Sequence, residues 1–430
     1  MISFQPTDDQ KMMQGSVADF AKKTLRPRIR EFEEARALPD DVKRAAHEMG
    51  LGMVALPEAV GGGGLGMTTA VLLEEEIAWA DPSAAYGMGG PGAFGTAVTE
   101  LGTKEQAAAL LAPFAAAEGT SQALPGPGPH QEPWNRFGAV AWGEPRTSAD
   151  RAGLTVMAKE TKDGWVLDGD KAYVINADRA DRFVVFAEVD PMAGWSGVGA
   201  FVVMKDHPAL DILPRETTLG LDVASFGGLR LKQLRVPKEA RLLGGVVPGA
   251  QANAAIGEGF DRALIRFFAK EALKVAARAV GLSRAAFEVT LEYCDTRVAF
   301  GKPIGHFQAI AFTLADRAMD VEAARALVWK AAWLWDSGAR EEESLLATAY
   351  AVSYALEAAM RAGDDAVQLH GGAGFMRDYP VEKMMRDAKQ LQLCVMTSAH
   401  ADQLAAVVEL GRPLDPGAVL PSSDSQNAFV

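Results

Sequence analysis

The sequence predicts an α+β multidomain fold: an N-terminal helical domain, a middle antiparallel β-sandwich or barrel, and a C-terminal helical bundle. Three observations carry that expectation. Residues 8–117 repeat Ala, Leu, Glu and Lys at periods of three and four, the spacing that gathers apolar side chains on one face of a helix. Residues 137–248 change to short strand-like runs divided by turn residues such as Lys162-Asp163-Gly164, the pattern of a sandwich or barrel. Residues 259–410 return to long helical patterns interrupted near 297–305, 337 and 371–374, as in a bundle with short connections. The expected domains are therefore 1–136, 137–250 and 251–430.

Within the first domain, Pro39-Asp40-Asp41 starts one helix, 57–66 is a loop and Asp81-Pro82-Ser83 starts a further segment. Residues 118–136, with the run Pro125-Gly126-Pro127-Gly128-Pro129, are rich in Gly and Pro, which excludes regular structure. The segment 119–136 reads as a tolerated surface insertion or as a cover over an active-site mouth. Strands are expected at 137–142, 154–159, 165–168, 172–176, 182–189, 198–204 and 229–236, and the tail after Pro413 is expected to be loose.

A chain of 430 residues has room for two or three domains with ample cores. Its 49% hydrophobic and 23% charged content fits a soluble globular protein. The net charge of -13 argues against nucleic acid as a partner and against attachment to anionic membranes. Cys294 and Cys394 have no metal-ligand spacing and make no disulfide framework, which suits a reducing compartment. No run approaches the roughly 18 apolar residues of a membrane span. The first residues lack the basic start and apolar core of a signal peptide. A cytoplasmic protein is the expectation.

Four motifs then occur in order. They are Leu56-Pro57-Glu58-Ala59-Val60-Gly61-Gly62, Arg297-Val298-Ala299-Phe300-Gly301-Lys302-Pro303, Gln368-Leu369-His370-Gly371-Gly372-Ala373-Gly374-Phe375 and Tyr379-Pro380-Val381-Glu382-Lys383-Met384-Met385-Arg386-Asp387-Ala388-Lys389. On the helix–sheet–helix order, these resemble the acyl-CoA dehydrogenase superfamily along most of the chain. The resemblance implies FAD as cofactor, an acyl-CoA substrate and an electron-transfer flavoprotein as partner.

It also implies that Arg297, Phe300, Gln308 and Gln368 contact the FAD of a neighbouring subunit, and hence a homo-oligomer, usually a tetramer. A fixed guanidinium suits a pyrophosphate, and Gly371 and Gly372 let backbone N–H groups come close to a cofactor. The plainer alternative is that Arg297 caps a helix and the glycines make a turn. On the flavin-facing strands the matching places are Trp142, Gly143, Ser148, Tyr173 and Ile175, with Thr397 beyond. Here the chain departs from the family: hydroxyls usual on these strands give way to Gly143, Ala149 and Ile175.

The larger departure is at the catalytic base. In the family's Tyr-Glu-Gly-Thr segment the glutamate removes the α-proton. This chain reads Cys394-Val395-Met396-Thr397 there, which puts Val395 in the glutamate's place and leaves Val395 and Met396 to contact substrate through backbone and shape. Some relatives carry the base on a preceding helix. Counting from either side of that helix gives Glu271 or Lys270. Glu271 shares an apolar stripe with Leu264, Phe268, Val275 and Leu282, where desolvation suits a general base; Lys270 lies off it. The alternative for Glu271 is a plain helix ion pair with Lys274 or Arg278.

His370, Arg386 and Asp387 read as packing and helix-joining residues, Trp329, Trp333 and Trp335 as core or subunit interface, and Lys22, Lys23 and Arg26 as a solvated helix face. The expected activity is α,β-dehydrogenation of an acyl-CoA. Its rivals are a non-oxidising desulfinase- or lyase-type relative and a non-catalytic subunit in a mixed oligomer with a related chain.

Overall fold

The computed structural model describes residues 6–115, 132–145, 154–193, 197–243, 258–412 and 414. Seven helices come first: α1 (Asp8–Phe20), α2 (Ile29–Ala35), α3 (Asp40–Glu48), α4 (Gly66–Ala80), α5 (Ala84–Gly87), α6 (Gly92–Leu101) and α7 (Lys104–Ala115). The Thr7 hydroxyl accepts the Gln10 N–H while the Gln10 side chain accepts the Thr7 N–H, a reciprocal cap that starts α1. Asp40 and Asp41 fall in the first turn of α3 after Pro39, where the helix dipole favours negative charge. Lys22 and Lys23 are exposed. Arg26 is not: it donates to the carbonyls of Trp79 and Ala80, each at 3.2 Å, because the chain bends there and turns the guanidinium onto the end of α4.

The middle of the chain forms β1 (Gly138–Ala141), β2 (Met157–Thr161), β3 (Gly164–Ile175), β4 (Arg182–Glu188), β5 (Val198–Met204), β6 (Leu210–Ile212) and β7 (Phe226–Pro237). They make one sheet in the order β1-β4-β2-β3-β7-β6, with β5 on β4. Most pairings are antiparallel, but β1 runs parallel to β4 from Gly138↔Arg182 to Ala141↔Val185. The two strands expected at 165–168 and 172–176 are one, β3, interrupted by register shifts at Leu167/Gly169 and Lys171/Val174. The short β6 carried no sequence signal.

The C-terminal part holds α8 (Glu258–Thr296), a tight β8 (Val298–Ala299) and β9 (Lys302–Pro303) hairpin, α9 (Gln308–Asp336), α10 (Glu341–His370), α11 (Val381–Leu391) and α12 (Ser398–Glu409). At 39 residues, α8 is about 58 Å long and is the spine of the molecule. Its alanine-rich faces let α4 and α10 approach closely. At Gly281 a Cβ would stand 2.2 Å from the Glu75 carbonyl oxygen, so the α4–α8 crossing needs glycine. Arg284 and Arg325 close the same layer by pairing with Glu75, and Arg284 also pairs with Glu76. Of the three tryptophans, Trp335 donates to Thr348 at 3.0 Å while Trp333 is half exposed.

The three regions meet at one buried cluster. Lys383 on α11 reaches Asp81 at the end of α4 (2.9 Å) and Asp387 one turn on (2.6 Å). Asp387 also accepts the N–H of Leu221 in the connection before β7 (2.6 Å). All three charged side chains are at most 3% exposed. Removing one member of a buried charge cluster leaves an uncompensated charge. Lys383→Met is therefore expected to lower unfolding free energy by about 3–5 kcal/mol, read as a drop in the urea midpoint.

Candidate functional site

A cavity of about 810 Å³ opens where α4, α6, β1, β3, α8 and the α11–α12 connection converge. Its walls are largely apolar, from Leu56 and Leu73 on one side to Phe267, Phe268 and Val275 on another. Size and lining are those of a small-molecule site. Five of the cofactor- and substrate-binding candidates from the sequence line it together: Trp142 and Gly143 just past β1, Tyr173 and Ile175 in β3, and Val395 from the α11–α12 connection.

The strand side is set by local backbone chemistry. Trp142 packs edge-on against Phe186 (5.0 Å) and Phe268 (4.9 Å), which fixes the end of β1 against α8. At Gly143 a Cβ would lie 2.8 Å from the Ala172 carbonyl oxygen, and Ala172 N–H donates to the Gly143 carbonyl at 2.8 Å. Glycine at this place is thus a packing requirement. Tyr173 takes a left-handed backbone (φ 56°) within the β3 register shift, which leaves its ring 68% exposed at the cavity edge.

Beneath this edge Glu144 is locked in place. Its carboxylate accepts the Thr155 N–H, the Thr155 hydroxyl (2.6 Å), the Val156 N–H (3.1 Å) and Lys171 Nζ (2.7 Å). Lys171 is fully buried and also donates to the Trp142 carbonyl at 3.0 Å. Burial pushes the Lys171 ammonium down to about 8, against the pull of Glu144. The pair has no local signature in the sequence, because a Glu and a Lys 27 residues apart look like surface charges.

On α8, Glu271 lines the cavity and is 6% exposed. Lys270 turns away to Glu100 at 2.5 Å and over the Trp335 ring. The stripe expected from the sequence thus separates the two. Glu271 also makes the expected ion pair with Lys274 (2.5 Å), whose ammonium donates on to Thr96 (3.3 Å). Arg278 pairs elsewhere, with Glu74 at 2.7 and 2.8 Å. Arg278, Glu74, Tyr86 and Thr96 also line the cavity; the last three carry no distinguishing signal in the sequence.

Val395 sits at the centre of a tight turn. Met396 N–H donates to the Cys394 carbonyl at 2.7 Å, and Val395 has φ 62°. A left-handed γ-turn is strained, the more so at a β-branched residue. Met396 is 1% exposed within the hydrophobic core, and Thr397 caps α12 by accepting the His400 N–H. Ser148 lies outside the described residues, as do residues 116–131, which hold most of the Pro/Gly-rich segment; the segment's described end, against the expectation of no regular structure, makes one 3-10 turn at Pro133–Asn135, with proline at its first position.

The remaining predicted residues gather on a second face. Arg297, exposed and without a carboxylate partner among the described residues, lines an open groove with Tyr293, Thr296, His370, Gly372 and Tyr379. Phe300 is 97% exposed at the β8–β9 turn, and Gln308 and Gln368 are exposed nearby in sequence to it and to the groove respectively. Gly371 has φ 55°, and a Cβ on Gly371 or Gly372 would meet nothing within 4 Å. The backbone here is open to approach from outside. His370 stacks on Tyr293 (4.2 Å) with Nδ1 on the Ala366 carbonyl at 2.7 Å, the packing role expected of it.

Among the described residues no group of three or more His, Cys, Asp or Glu is placed to hold a metal, and no helix is long and apolar enough to cross a membrane. The family models for the acyl-CoA dehydrogenase N-terminal, middle and C-terminal domains match residues 7–118, 139–234 and 257–394. The probable acyl-CoA dehydrogenase YngJ of Bacillus subtilis is 32% identical over 92% of this chain and 97% of its own. The butyryl-CoA dehydrogenase of Megasphaera elsdenii superposes with a TM-score of 0.82 at 28% identity, covering 95% of this chain and all of that one. A chain solved in work on the electron transferring flavoprotein of Acidaminococcus fermentans gives 0.81 at 30% identity, with coverage of 95% and 100%.

The Gly143 contact can be checked directly. Gly143→Ala is expected to cost about 1–3 kcal/mol by overpacking, with unchanged helix content by circular dichroism, because the added methyl strikes the Ala172 backbone.

Proposed function

The chain belongs to the acyl-CoA dehydrogenase family, and from that premise we propose that Glu271 is its catalytic base, in an FAD-dependent α,β-dehydrogenation of an acyl-CoA thioester. The observation that carries the assignment is that Glu271, buried on α8, lines the same cavity as Trp142, Gly143, Tyr173, Ile175 and Val395. The residues present fit a flavin: an exposed aromatic at the edge of a cavity of about 810 Å³ and an apolar bed behind. When bound, FAD accepts the hydride leaving the substrate's β-carbon.

The protein's own residues do the rest. Glu271 takes the α-proton on a carboxylate oxygen, held in place through Lys274 and Thr96. The apolar walls exclude water from the carbanion-like centre. In the turn at Val395 the Cys394 and Met396 N–H groups are already bonded, to the Leu391 and Cys394 carbonyls, so it is the Val395 N–H that serves the thioester carbonyl, a role that survives the loss of a side-chain carboxylate. Arg297, Phe300, Gln308 and Gln368 serve the FAD of a neighbouring subunit, which their exposure supports, and an electron-transfer flavoprotein takes up the electrons.

Glu271→Gln keeps the shape and removes the base. Flavin reduction by acyl-CoA in stopped flow should fall on the order of 100- to 10,000-fold while acyl-CoA binding persists. Adding Val395→Glu should restore part of the rate from the other side of the cavity. Wild-type reduction by Glu271→Gln would refute the assignment and bring the non-oxidising reading forward.

Arg297→Ala should weaken FAD retention by about 1.5–3 kcal/mol, the value of a charge-assisted contact, seen as flavin loss on dilution. If the cofactor is shared, FAD release should track dissociation of the oligomer; a flavin-loaded monomer would contradict sharing.

A further inference from the structure

One side of this largely apolar cavity is charged and polar, not hydrocarbon. α8 turns Glu271, Lys274 and Arg278 into the cavity, and α4 supplies Glu74. Arg278 is 8% exposed, with both oxygens of Glu74 within 2.8 Å and its guanidinium 4.3 Å over the Tyr86 ring. Along the helix, Lys274 and Arg278 lie about 4.5 and 10.5 Å from Glu271, within reach of a short acyl group whose α-carbon faces Glu271.

The four charges cancel in adjacent pairs, so the wall is polar but neutral. Hydrogen-bonding capacity is left over. Lys274 has three N–H groups and two partners, Glu271 and Thr96. Asn176, also in the lining, donates to the Tyr86 carbonyl, but its buried Oδ1 has no donor. Water can serve such groups in the free protein. A bound alkyl chain would displace it and return nothing, and unmade hydrogen bonds to buried polar groups are costly. A carboxylate would fare no better, since each cation it could approach already holds an acidic partner.

We propose that the acyl group carries a neutral hydrogen-bonding substituent, a hydroxyl or an amide, seated against the Glu74–Arg278 and Glu271–Lys274 pairs. This rests on the acyl-CoA reading above and names the substrate class for it.

The test compares isosteric CoA thioesters on the anaerobic holoenzyme, by calorimetric Kd and by the rate of flavin bleaching. 4-Hydroxybutanoyl-CoA is set against pentanoyl-CoA, 5-hydroxypentanoyl-CoA against hexanoyl-CoA, and 4-carbamoylbutanoyl-CoA against glutaryl-CoA. The neutral polar member of each pair should bind about two- to tenfold tighter, the value of one hydrogen bond. Equal or tighter binding of the alkyl or carboxylate member overturns the proposal. Bleaching by none of the thioesters, with the polar preference intact in Kd, sinks the dehydrogenation reading and leaves the recognition standing. Glu74→Leu combined with Arg278→Met removes both partners of one pair and should erase the preference; an unchanged ratio overturns the role given to that pair. If the double variant does not fold, the wild-type ratios decide alone.

Discussion

One buried ammonium holds the site together. Lys383 lies between Asp81 and Asp387, and Asp387 in turn anchors Leu221, so a helix of each helical region and a connection of the sheet region are fixed at one point. Burial pushes the Asp387 carboxyl up to about 6, against the pull of Lys383. Two carboxylates around one ammonium would repel if the geometry loosened, so the cluster favours a single docking of the three regions. Its neighbours reinforce it. Gly220 N–H donates to Gln390 at 2.9 Å, and Arg386 pairs with Glu33 and Glu382.

The cavity is a consequence of that docking. α11, which carries Lys383 and Asp387, ends at Leu391, three residues before Cys394, so the cluster also sets where the Val395 turn stands relative to α8. The turn's left-handed backbone persists because Cys394 and Met396, on either side, are buried in the core. On the opposite wall the Glu144–Lys171 pair sets the end of β1. The site is thus built from fixed walls, with ion pairs outside the reacting region as supports.

Departures from the family pattern fall on the walls of this cavity. Where the resemblance expects an acid, the chain has valine, and an acid appears on α8 facing the same space. Where it expects hydroxyls on the strands, it has a glycine whose absent side chain is demanded by the Ala172 carbonyl.

Much of this was legible in the sequence. The order of helices, sheet and helices follows from periodicity. The choice of Glu271 over Lys270 follows from the 100° step of a helix, which the sequence carries in full. Strand count was less legible, because β3 is continuous through two irregularities that read as breaks, and β6 is three residues held only by pairing to β7. The parallel run of β1 beside β4 has no local signature at all. The same limit applied to the site. Glu74 with Arg278, Glu144 with Lys171 and Asp81 with Lys383 are separated by 204, 27 and 302 residues, and each charge alone reads as surface. The sequence by itself determined the family, the element types and that Glu271 rather than Lys270 faces inward from α8, since these depend on neighbours along one helix or strand. The tertiary structure alone decided which charges are buried and paired, because the cost of burying a charge depends on what other segments bring within 3 Å of it.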